Sequence, residues 1–333
     1  MNATKLADIA EELGLSVSTV SRALSGNGRV GEDTRKRVLE AVKESAYTPN
    51  AVARSLRLRD AMNIGVIVPD IANTYYAAVI KGAQGVCRES GYTLMVCNSD
   101  ENVVLEEEAL YMMLEKQVSG LILATVGCTS EIIGRYGRLN IPVVFFDNLP
   151  SDVQDCDSVS IDNHDAAYRL TGALIARGYT QIGLIAGPVG QTSGRLRLTG
   201  FTQAMQEAGL FINPDWVREG DFKLPSGRDA MRAILSLNKH PRAMLISNNY
   251  MTYGAVGAIR EAGLSIPQDI AVAAFDALDI TGLITPKLTS INQPAEEIGV
   301  QSAQIILNRL SEKDAGPGIY REQQPVIVEG ESW

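Results

Sequence analysis

Apolar residues in the first 24 positions recur at three- and four-residue spacing in two short segments. In the first segment they form one face of a helix, at Leu6, Ile9, Ala10 and Leu13. Gly14 is expected to end that helix, and Ser16 to cap the next one. The inner face of the second helix is made by Val20, Ala23 and Leu24. Two short helices joined by a glycine turn predict a helix-turn-helix unit, whose second helix enters the major groove of DNA.

A third amphipathic segment, from Glu32 to Ser45, is expected to close a small core with these two helices. Its apolar stripe is made by Val38, Leu39, Val42 and Ala46. A break follows before Pro49, because the residue before a proline avoids helical conformation. The next segment, Ala51–Leu58, is too short to be a stable helix alone. It predicts a linker helix that forms only when packed on a twin copy and on DNA, with a plain solvated linker as the alternative.

From Asn63 onward, apolar strands alternate with longer helical segments, which is typical of parallel sheets with crossover helices. A first series of strands is predicted at Ile64–Val68, Tyr92–Cys97, Gly120–Ala124 and Pro142–Phe146. A second series is predicted at Ser158–Ile161, Ile182–Ile185, Ala243–Ser247 and Ile270–Phe275. Two series imply two doubly wound lobes.

The predicted elements after the second series are too few to form another domain. We expect them to cross back to the two lobes, with a ligand cleft between the lobes. They are a strand at Leu288–Asn292, a helix at Pro294–Leu310 and a strand at Pro325–Val328. The predicted fold class is an all-α helix-turn-helix head followed by an α/β two-lobed core of doubly wound parallel sheets. The predicted domains are the head at 1–48, a hinge helix and linker at 49–61, and the core at 62–333. Within the core, one lobe is expected at about 62–160 and 292–322, and the other at about 161–291 and 323–333.

Net charge at first disfavours nucleic-acid binding, because the 333 residues carry a formal charge of −9. The distribution changes this picture, since residues 1–59 carry +3 and the remainder −12. A basic head on an acidic body is the asymmetry of a DNA reader that carries a separate module.

The four cysteines contain no CxxC pair, so they predict buried reduced thiols and neither a zinc site nor a redox motif. They are Cys87, Cys97, Cys128 and Cys156. No apolar signal segment begins the sequence, and no run reaches the roughly 18 apolar residues of a membrane span. We therefore expect a cytoplasmic protein without a metal, a cofactor or a membrane partner.

Polar and aromatic residues follow the predicted strands, where open parallel sheets bind ligands. They are Asn73, Tyr75, Tyr76 and Asp147 in the first lobe, and Arg197, Phe222, Asn248, Asp276 and Gln293 in or beside the second. Each one alone has an ordinary interpretation as a turn residue, a helix cap or partial core. Their recurrence in both lobes favours a shared cleft. Carboxylates, amides and a guanidinium can pair with vicinal hydroxyls, and aromatic rings can stack on a sugar ring.

The chain resembles the LacI/GalR family of bacterial transcription regulators over nearly its whole length. The resemblance is carried by Asp8-Ile9-Ala10, Val17-Ser18-Thr19-Val20-Ser21-Arg22, Pro49-Asn50, Ala53-Arg54-Ser55-Leu56, Ile64–Pro69, Arg197–Phe201, Phe275-Asp276 and Leu288–Ile291. A helix-turn-helix followed by a hinge and a two-lobed body is far more specific than a helix-turn-helix alone. The resemblance implies a core like that of periplasmic binding proteins.

The resemblance also implies DNA contacts in the head and hinge. Val17, Ser18 and Arg22 would face base edges, with Arg22 suited to bidentate contact with guanine. Leu56 would wedge into the minor groove beside its twin from a second subunit. The full set of implied DNA-binding residues is Thr4, Leu6, Ser16, Val17, Ser18, Thr19, Ser21, Arg22, Asn27, Arg29, Thr34, Asn50, Ala53 and Leu56.

In the core, the family's effector contacts match the nine strand-end residues named above. The resemblance therefore implies a repressor that binds a pseudo-palindromic operator as a homodimer. A small carbohydrate or related metabolite, such as a sugar, sugar acid or sugar phosphate, would control it. The sequence shows no C-terminal heptad extension, which favours a dimer over a tetramer.

Three positions depart from the family pattern. Asn249 stands where the family commonly has Asp, Ala277 where a second acid often follows Asp276, and Ala46 where glycine is frequent. The first two departures remove carboxylates near the cleft, so the sequence does not identify the effector.

Two other functions remain as alternatives. A stand-alone sugar-binding receptor would need an export signal and has no use for the head. A carbohydrate-active enzyme could use Asp147 and Asp276, but the sequence has no GxSxG elbow, P-loop or GxGxxG after the first strand. The two histidines, His164 and His240, do not fall at the strand ends. A regulator is therefore the favoured function and an enzyme is not expected.

Overall fold

The computed structural model describes residues 6–25, 30–45, 62–150, 152–153, 155–277, 285–311 and 316–333. The chain divides into two compact units, Met1–Ala61 and Met62–Trp333, which we call the head and the core. The predicted linker helix at 51–58 lies outside the described residues.

The head contains three short helices: α1 (Leu6–Glu12), α2 (Val17–Ser25) and α3 (Glu32–Glu44). Ile9, Val20 and Val38, one from each helix, are fully buried against one another. Gly14 adopts a φ of +65°, which glycine tolerates without strain, and so turns the chain between α1 and α2.

The prediction was wrong for one residue of the apolar stripe of α3. Leu39 is 43% exposed, and Ala41 lies in the core instead. The reason is helical geometry, because positions 38, 41 and 42 share a face while position 39 is rotated away from it.

The first sheet of the core is entirely parallel, with strand order β11-β5-β4-β3-β1-β2. Its strands are β1 (Asn63–Val68), β2 (Thr93–Asn98), β3 (Gly120–Leu123), β4 (Val143–Phe146), β5 (Asp157–Ile161) and β11 (Tyr320–Gln323). It is covered by helices α4 (Thr74–Glu89), α5 (Val103–Glu115), α6 (Ser130–Arg138) and α11 (Ala295–Ser311). We call this assembly the first lobe.

The second sheet has the order β12-β10-β9-β8-β6-β7, in which only β12 is antiparallel to its neighbour. Its strands are β6 (Ile182–Ala186), β7 (Val217–Glu219), β8 (Ala243–Ile246), β9 (Ala271–Phe275), β10 (Thr289–Asn292) and β12 (Val326–Val328). Its helices are α7 (Asn163–Ala176), α8 (Thr192–Glu207), α9 (Leu224–Leu235) and α10 (Asn249–Glu261), with a 3-10 turn at Pro214–Trp216. This is the second lobe.

Helix α4 lies in close backbone contact with α11. A Cβ atom on Gly82 would lie 2.0 Å from the carbonyl oxygen of Glu296, and one on Gly299 would lie 1.9 Å from that of Val79. Only glycine permits this approach from both sides. The contact matters for function because the first turn of α4 carries Tyr75 and Tyr76 toward the cleft.

The structure differs from the predicted strands at three places. Ser158–Ile161, placed in the second series, belongs to the first sheet, where β5 pairs with β4. The edge strands β7 and β11 were not predicted, because both are short and largely polar. Each lobe therefore needs chain from beyond the other lobe to complete its sheet.

Cysteine burial was also predicted incorrectly. All four thiols are free, but only Cys87 is buried, and the other three are partly exposed. None of the helices that the structure describes is long and apolar enough to cross a membrane.

Candidate functional site

The exposed face of α2 carries the residues predicted to read bases. Val17 is 47% exposed although it is apolar, and Ser18 and Arg22 are exposed beside it. The Arg22 Nε donates to the Ser18 carbonyl at 3.1 Å, which lays the guanidinium along the helix. Ser16 accepts from the backbone N–H of Thr19 at 3.2 Å, so the predicted cap is confirmed.

The remaining predicted DNA contacts divide into two groups. Leu6 packs on the small core of the head, while Thr19, Ser21 and Thr34 are partly buried. The residues that lie outside the described part of the chain are Thr4, Asn27, Arg29, Asn50, Ala53 and Leu56.

The carboxyl ends of the strands of both lobes converge on one polar cavity. It is lined by Asn73, Tyr75, Tyr76, Glu101, Asp147, Ser193, Arg197, Phe222, Asn248, Asn249, Asp276 and Gln293. All nine residues predicted from strand ends are therefore brought together. The cavity volume is about 30 Å³, which is room for one or two water molecules. In this closed arrangement, the lining side chains pair mainly with one another.

Arg197 is the cation among the residues that line this cavity and is only 3% exposed. Its Nε donates to Asn163 Oδ1 at 2.7 Å and its Nη1 to the Ser247 carbonyl at 2.5 Å. The guanidinium also lies over the Phe275 ring, 4.2 Å from its centroid. Protein groups thus hold the guanidinium in place before any ligand enters.

Two carboxyl groups line the cavity with Arg197, one on Asp147, which is buried, and one on Asp276, which is half-buried. Burial raises the pKa of both Asp147 and Asp276, and the nearby guanidinium of Arg197 partly offsets that rise. Both residues have positive φ, +61° and +53°, at the points where β4 and β9 end. Strained backbone of this kind is common at binding sites, where it aims a side chain that the regular strand would point elsewhere.

The two tyrosines at the start of α4 differ in their partners. The Tyr76 hydroxyl donates to Asp147 Oδ2 at 2.9 Å. The Tyr75 hydroxyl is buried and makes no hydrogen bond. Burial raises the pKa of both phenols well above its usual value, with Asp147 adding to the effect. Both therefore stay protonated, and Tyr75 presents an unused donor to the cavity.

Phe222 forms the apolar wall of the cavity. Its backbone has a φ of +63°, and its ring lies so close to Gly187 that a Cβ there would be 2.1 Å from Phe222 Cζ. Asn248 fixes the Phe222 segment by donating to its carbonyl at 2.7 Å, and caps α10 by accepting from Met251 N. The wall is thus rigidly positioned.

Gln293 and Asp276 form a pair at the last crossover. The Gln293 backbone and side-chain nitrogens donate to the two Asp276 oxygens at 2.9 and 2.6 Å. The carboxylate is therefore oriented from two sides, beside Arg197.

Sequence reasoning missed three lining residues: Glu101, Ser193 and Asn249. Glu101 follows β2, and the strand-end rule applied to that strand would have found it. Ser193 lies four residues before Arg197 on α8, so it shares that helix face. The sequence identified Asn249 as a departure from the family pattern, but it did not predict that Asn249 lines the cavity or pairs with Asn73 of the first lobe.

The two lobes are joined across the cleft by hydrogen bonds. Asn73 and Asn249 exchange a reciprocal pair at 3.0 and 2.8 Å, which an aspartate at 249 could not complete because it lacks the donor. The Tyr250 hydroxyl donates to the Ala72 carbonyl at 2.7 Å. The departure from the family pattern at 249 therefore creates a neutral contact that favours closure.

Two family models match the chain. Residues 5–50 match bacterial regulatory proteins of the lacI family. Residues 61–323 match periplasmic binding proteins and the sugar binding domain of the LacI family.

Curated relatives cover almost the whole chain, and those named here are transcriptional repressors. The HTH-type transcriptional repressor PurR of Pasteurella multocida (strain Pm70) is 34% identical over 322 residues, with 96% of each chain covered. PurR of Haemophilus influenzae (strain PittEE) is 35% identical over 312 residues, covering 93% of this chain and 92% of the relative.

Solved structures match over the same length. A lac repressor dimer bound to operator and the anti-inducer ONPF has a TM-score of 0.86 at 29% identity, covering 99% of each chain. A complex of the transcriptional regulator CelR with cellobiose has a TM-score of 0.75 at 26% identity, covering 99% of this chain and all of that one.

Proposed function

Because the chain belongs to the LacI family of bacterial regulatory proteins and is a DNA-binding transcriptional repressor with an effector-binding core, we propose that α2 reads its operator and that a small neutral polyhydroxylated molecule binds in the cleft. The observation that carries the proposal is the convergence of nine strand-end side chains from both lobes on one buried cavity. Effector and operator affinities are coupled reciprocally, so each ligand changes the affinity for the other by the same factor.

The charge of the cavity favours a neutral effector over a sugar acid or sugar phosphate. Three carboxyl groups, Glu101, Asp147 and Asp276, face a single guanidinium. Arg197 already donates to Asn163 and Ser247, and its charge lowers the pKa of both Asp147 and Asp276. An added anion would meet more negative than positive charge in a site of low dielectric.

Hydroxyl groups suit the same side chains. Buried carboxylates accept from hydroxyls, the Tyr75 hydroxyl offers a donor, and the Phe222 ring offers an apolar face for a sugar ring. The CelR structure holds cellobiose, a neutral disaccharide, which supports this class of ligand without identifying it.

The repressor acts as a homodimer on a pseudo-palindromic operator. Residues 1–59 carry a net charge of only +3, so a single head makes few phosphate contacts and binds weakly at physiological salt. Two heads at fixed spacing engage two half-sites together. The lac repressor structure, a dimer bound to operator, supports this assembly.

Arg22→Ala is expected to weaken binding to the selected operator by about 5- to 150-fold, the range of one good base contact. The operator is first selected from random duplex DNA with the full-length protein, and affinity is then measured by fluorescence anisotropy at fixed salt. Arg169→Ala serves as the control, because Arg169 is an exposed core residue paired with Asp165, and should leave affinity unchanged. Equal affinities of wild type and Arg22→Ala would contradict the assignment of α2.

Neutral sugars and polyols are expected to raise the melting temperature of the full chain, whereas sugar phosphates and sugar acids are not. A ligand at about 100 times its Kd stabilises by about 2.7 kcal/mol. The screen is run by thermal shift, and Asp276→Asn should lose the response because the carboxylate is an acceptor in the cavity. A panel in which only phosphorylated or acidic compounds stabilise the protein would overturn the neutral-effector proposal.

A further inference from the structure

Glu101 lies at the cleft on the first lobe and is held there by unusual backbone. Asp100 and Glu101 both have positive φ, +52° and +55°, and the Glu101 N–H donates to the Pro69 carbonyl at 3.1 Å. Two consecutive non-glycine residues in the left-handed region of backbone conformation are strained, and the surrounding structure must hold them there. The strain turns both side chains toward the second lobe.

These two carboxyl groups contact the second lobe in different ways. Asp100 is exposed and forms an ion pair with Lys223 at 3.2 Å. Glu101 is half-buried in the cleft, where its Oε2 accepts from Gln191 Nε2 at 2.9 Å. Lys223 is thus paired with Asp100, and Glu101 has an uncharged amide as its cross-lobe partner.

Gln191 connects Glu101 to a chain of hydrogen bonds that crosses between the lobes repeatedly. Its Oε1 accepts from Asn148 Nδ2 at 3.0 Å, and Asn148 Oδ1 accepts from the Ser193 N–H at 2.9 Å. Gln191 and Ser193 belong to the second lobe, while Glu101 and Asn148 belong to the first. Closing the lobes therefore completes this chain and covers the Glu101 carboxyl.

We propose that Glu101 is a positioning residue of the cleft that takes up a proton from solvent when the lobes close, so that closure becomes less favourable as pH rises from the acidic range to neutrality. The carboxylate is the form that exists in the open, solvated cleft, and the neutral acid is the form that the closed cleft buries. Gln191 can donate to either form, so its hydrogen bond survives the change.

The charges that face Glu101 favour the neutral acid. The hydrogen bond from Gln191 and the charge of Lys223, both on the second lobe, favour the carboxylate, whereas Asp147 at the end of β4 and Asp70 after β1 disfavour a further negative charge. The Tyr76 phenol of α4 also lies nearby, and the Glu101 charge raises its pKa. Burial is the largest effect and, together with these charges, raises the pKa of Glu101 to about 7.

The direction of the pH dependence follows from that rise. Closure is unaffected by Glu101 below the ordinary pKa of a solvated glutamate, near 4.3. Between that pH and about 7, the open form ionises while the closed form keeps its proton, so the closing equilibrium falls. The expected total change in the closing equilibrium is between about two and three orders of magnitude.

The test is small-angle X-ray scattering on the full-length protein between pH 5 and 9, without any ligand. The radius of gyration of the wild type is expected to increase as pH rises toward 7 and to level off above about 7, whereas Glu101→Gln should stay compact throughout, because the amide oxygen still accepts from Gln191. Asp100→Asn is the matched control, since it alters the neighbouring cross-lobe contact but should keep the pH transition. The head is present in every variant and contributes equally.

Three results would overturn the proposal: a wild type with no pH transition, a Glu101→Gln protein that keeps it, or a Glu101→Gln protein that is open at every pH. Unfolding is monitored by circular dichroism on the same samples, so opening is distinguished from denaturation. The inference rests on the proposed function only in treating the cleft as the effector site. Because no effector or operator is used, its failure would leave the operator and effector experiments unaffected, and their failure would leave this result standing.

Discussion

Arg197→Ala is expected to destabilise the core by about 3–5 kcal/mol at pH 7, the usual consequence of removing one member of a buried charge cluster. The substitution leaves Asn163 Oδ1 and the Ser247 carbonyl without their donor. It also leaves Asp147 and Asp276 without the cation that lowers their pKa values. Urea unfolding followed by circular dichroism measures the loss, and the variant should not respond to any ligand that stabilises the wild type.

The pH dependence of that loss has a defined sign. Arg197 stabilises the ionised forms of Asp147 and Asp276, so its contribution is present when they are charged and disappears as pH falls and they take up protons. The deficit of Arg197→Ala should therefore shrink at acid pH. Arg195→Ala on the same helix is the control, because Arg195 is exposed and its removal should change stability by no more than about 0.5 kcal/mol. Equal stability of the two variants would contradict the charge cluster.

Gly299→Ala is expected to destabilise the core by about 3 kcal/mol or more, at the upper end of overpacking effects. The new Cβ would lie 1.9 Å from the Val79 carbonyl oxygen, and neither backbone can move without separating α4 from α11. Because α4 carries Tyr75 and Tyr76, ligand binding should weaken together with stability. Urea unfolding and thermal shift measure the two effects.

Gly85→Ala provides the matched comparison for Gly299→Ala. Gly85 lies on α4, where an added Cβ meets nothing within 4 Å. Replacing a helical glycine with alanine at such a position should stabilise the protein by about 0.5–1 kcal/mol. If both variants changed stability in the same direction by similar amounts, the close helix contact would not be what places α4.

The sequence predicted the central strands because they are continuous apolar runs that a parallel sheet buries on both faces. Tyr320–Gln323 and Val217–Glu219 were missed since polar edge strands have no such signature. The placement of Ser158–Ile161 was wrong for a different reason. Its position along the chain suggested the second lobe, but β5 pairs with β4 in the first sheet. Which strands pair depends on tertiary packing, and the apolar periodicity of a segment does not encode it.

The ligand cleft was predictable to the extent that it follows the strand ends. That rule found Asp147 and Asp276, which line the same cavity as Arg197 in the structure. It did not reveal that Asn249 pairs with Asn73, because the two are 176 residues apart and only the closed lobes join them. Nor did it indicate the strained backbone of Glu101, since neither Asp100 nor Glu101 is a glycine that would signal positive φ.

The strands that complete the two sheets of the core come late in the chain. The first sheet is completed by β11 at Tyr320–Gln323, and the second by β12 at Val326–Val328. Ser332 then bonds to both the Val272 carbonyl and the Thr289 N–H. The DNA-reading head is thus translated before the sensing core, whose sheets are completed only after β11 and β12 have been made. A nonsense mutation before Tyr320 would accordingly produce a head attached to a core that lacks β11 and β12. Such a truncated protein would lose both the folding of its core and its response to the effector.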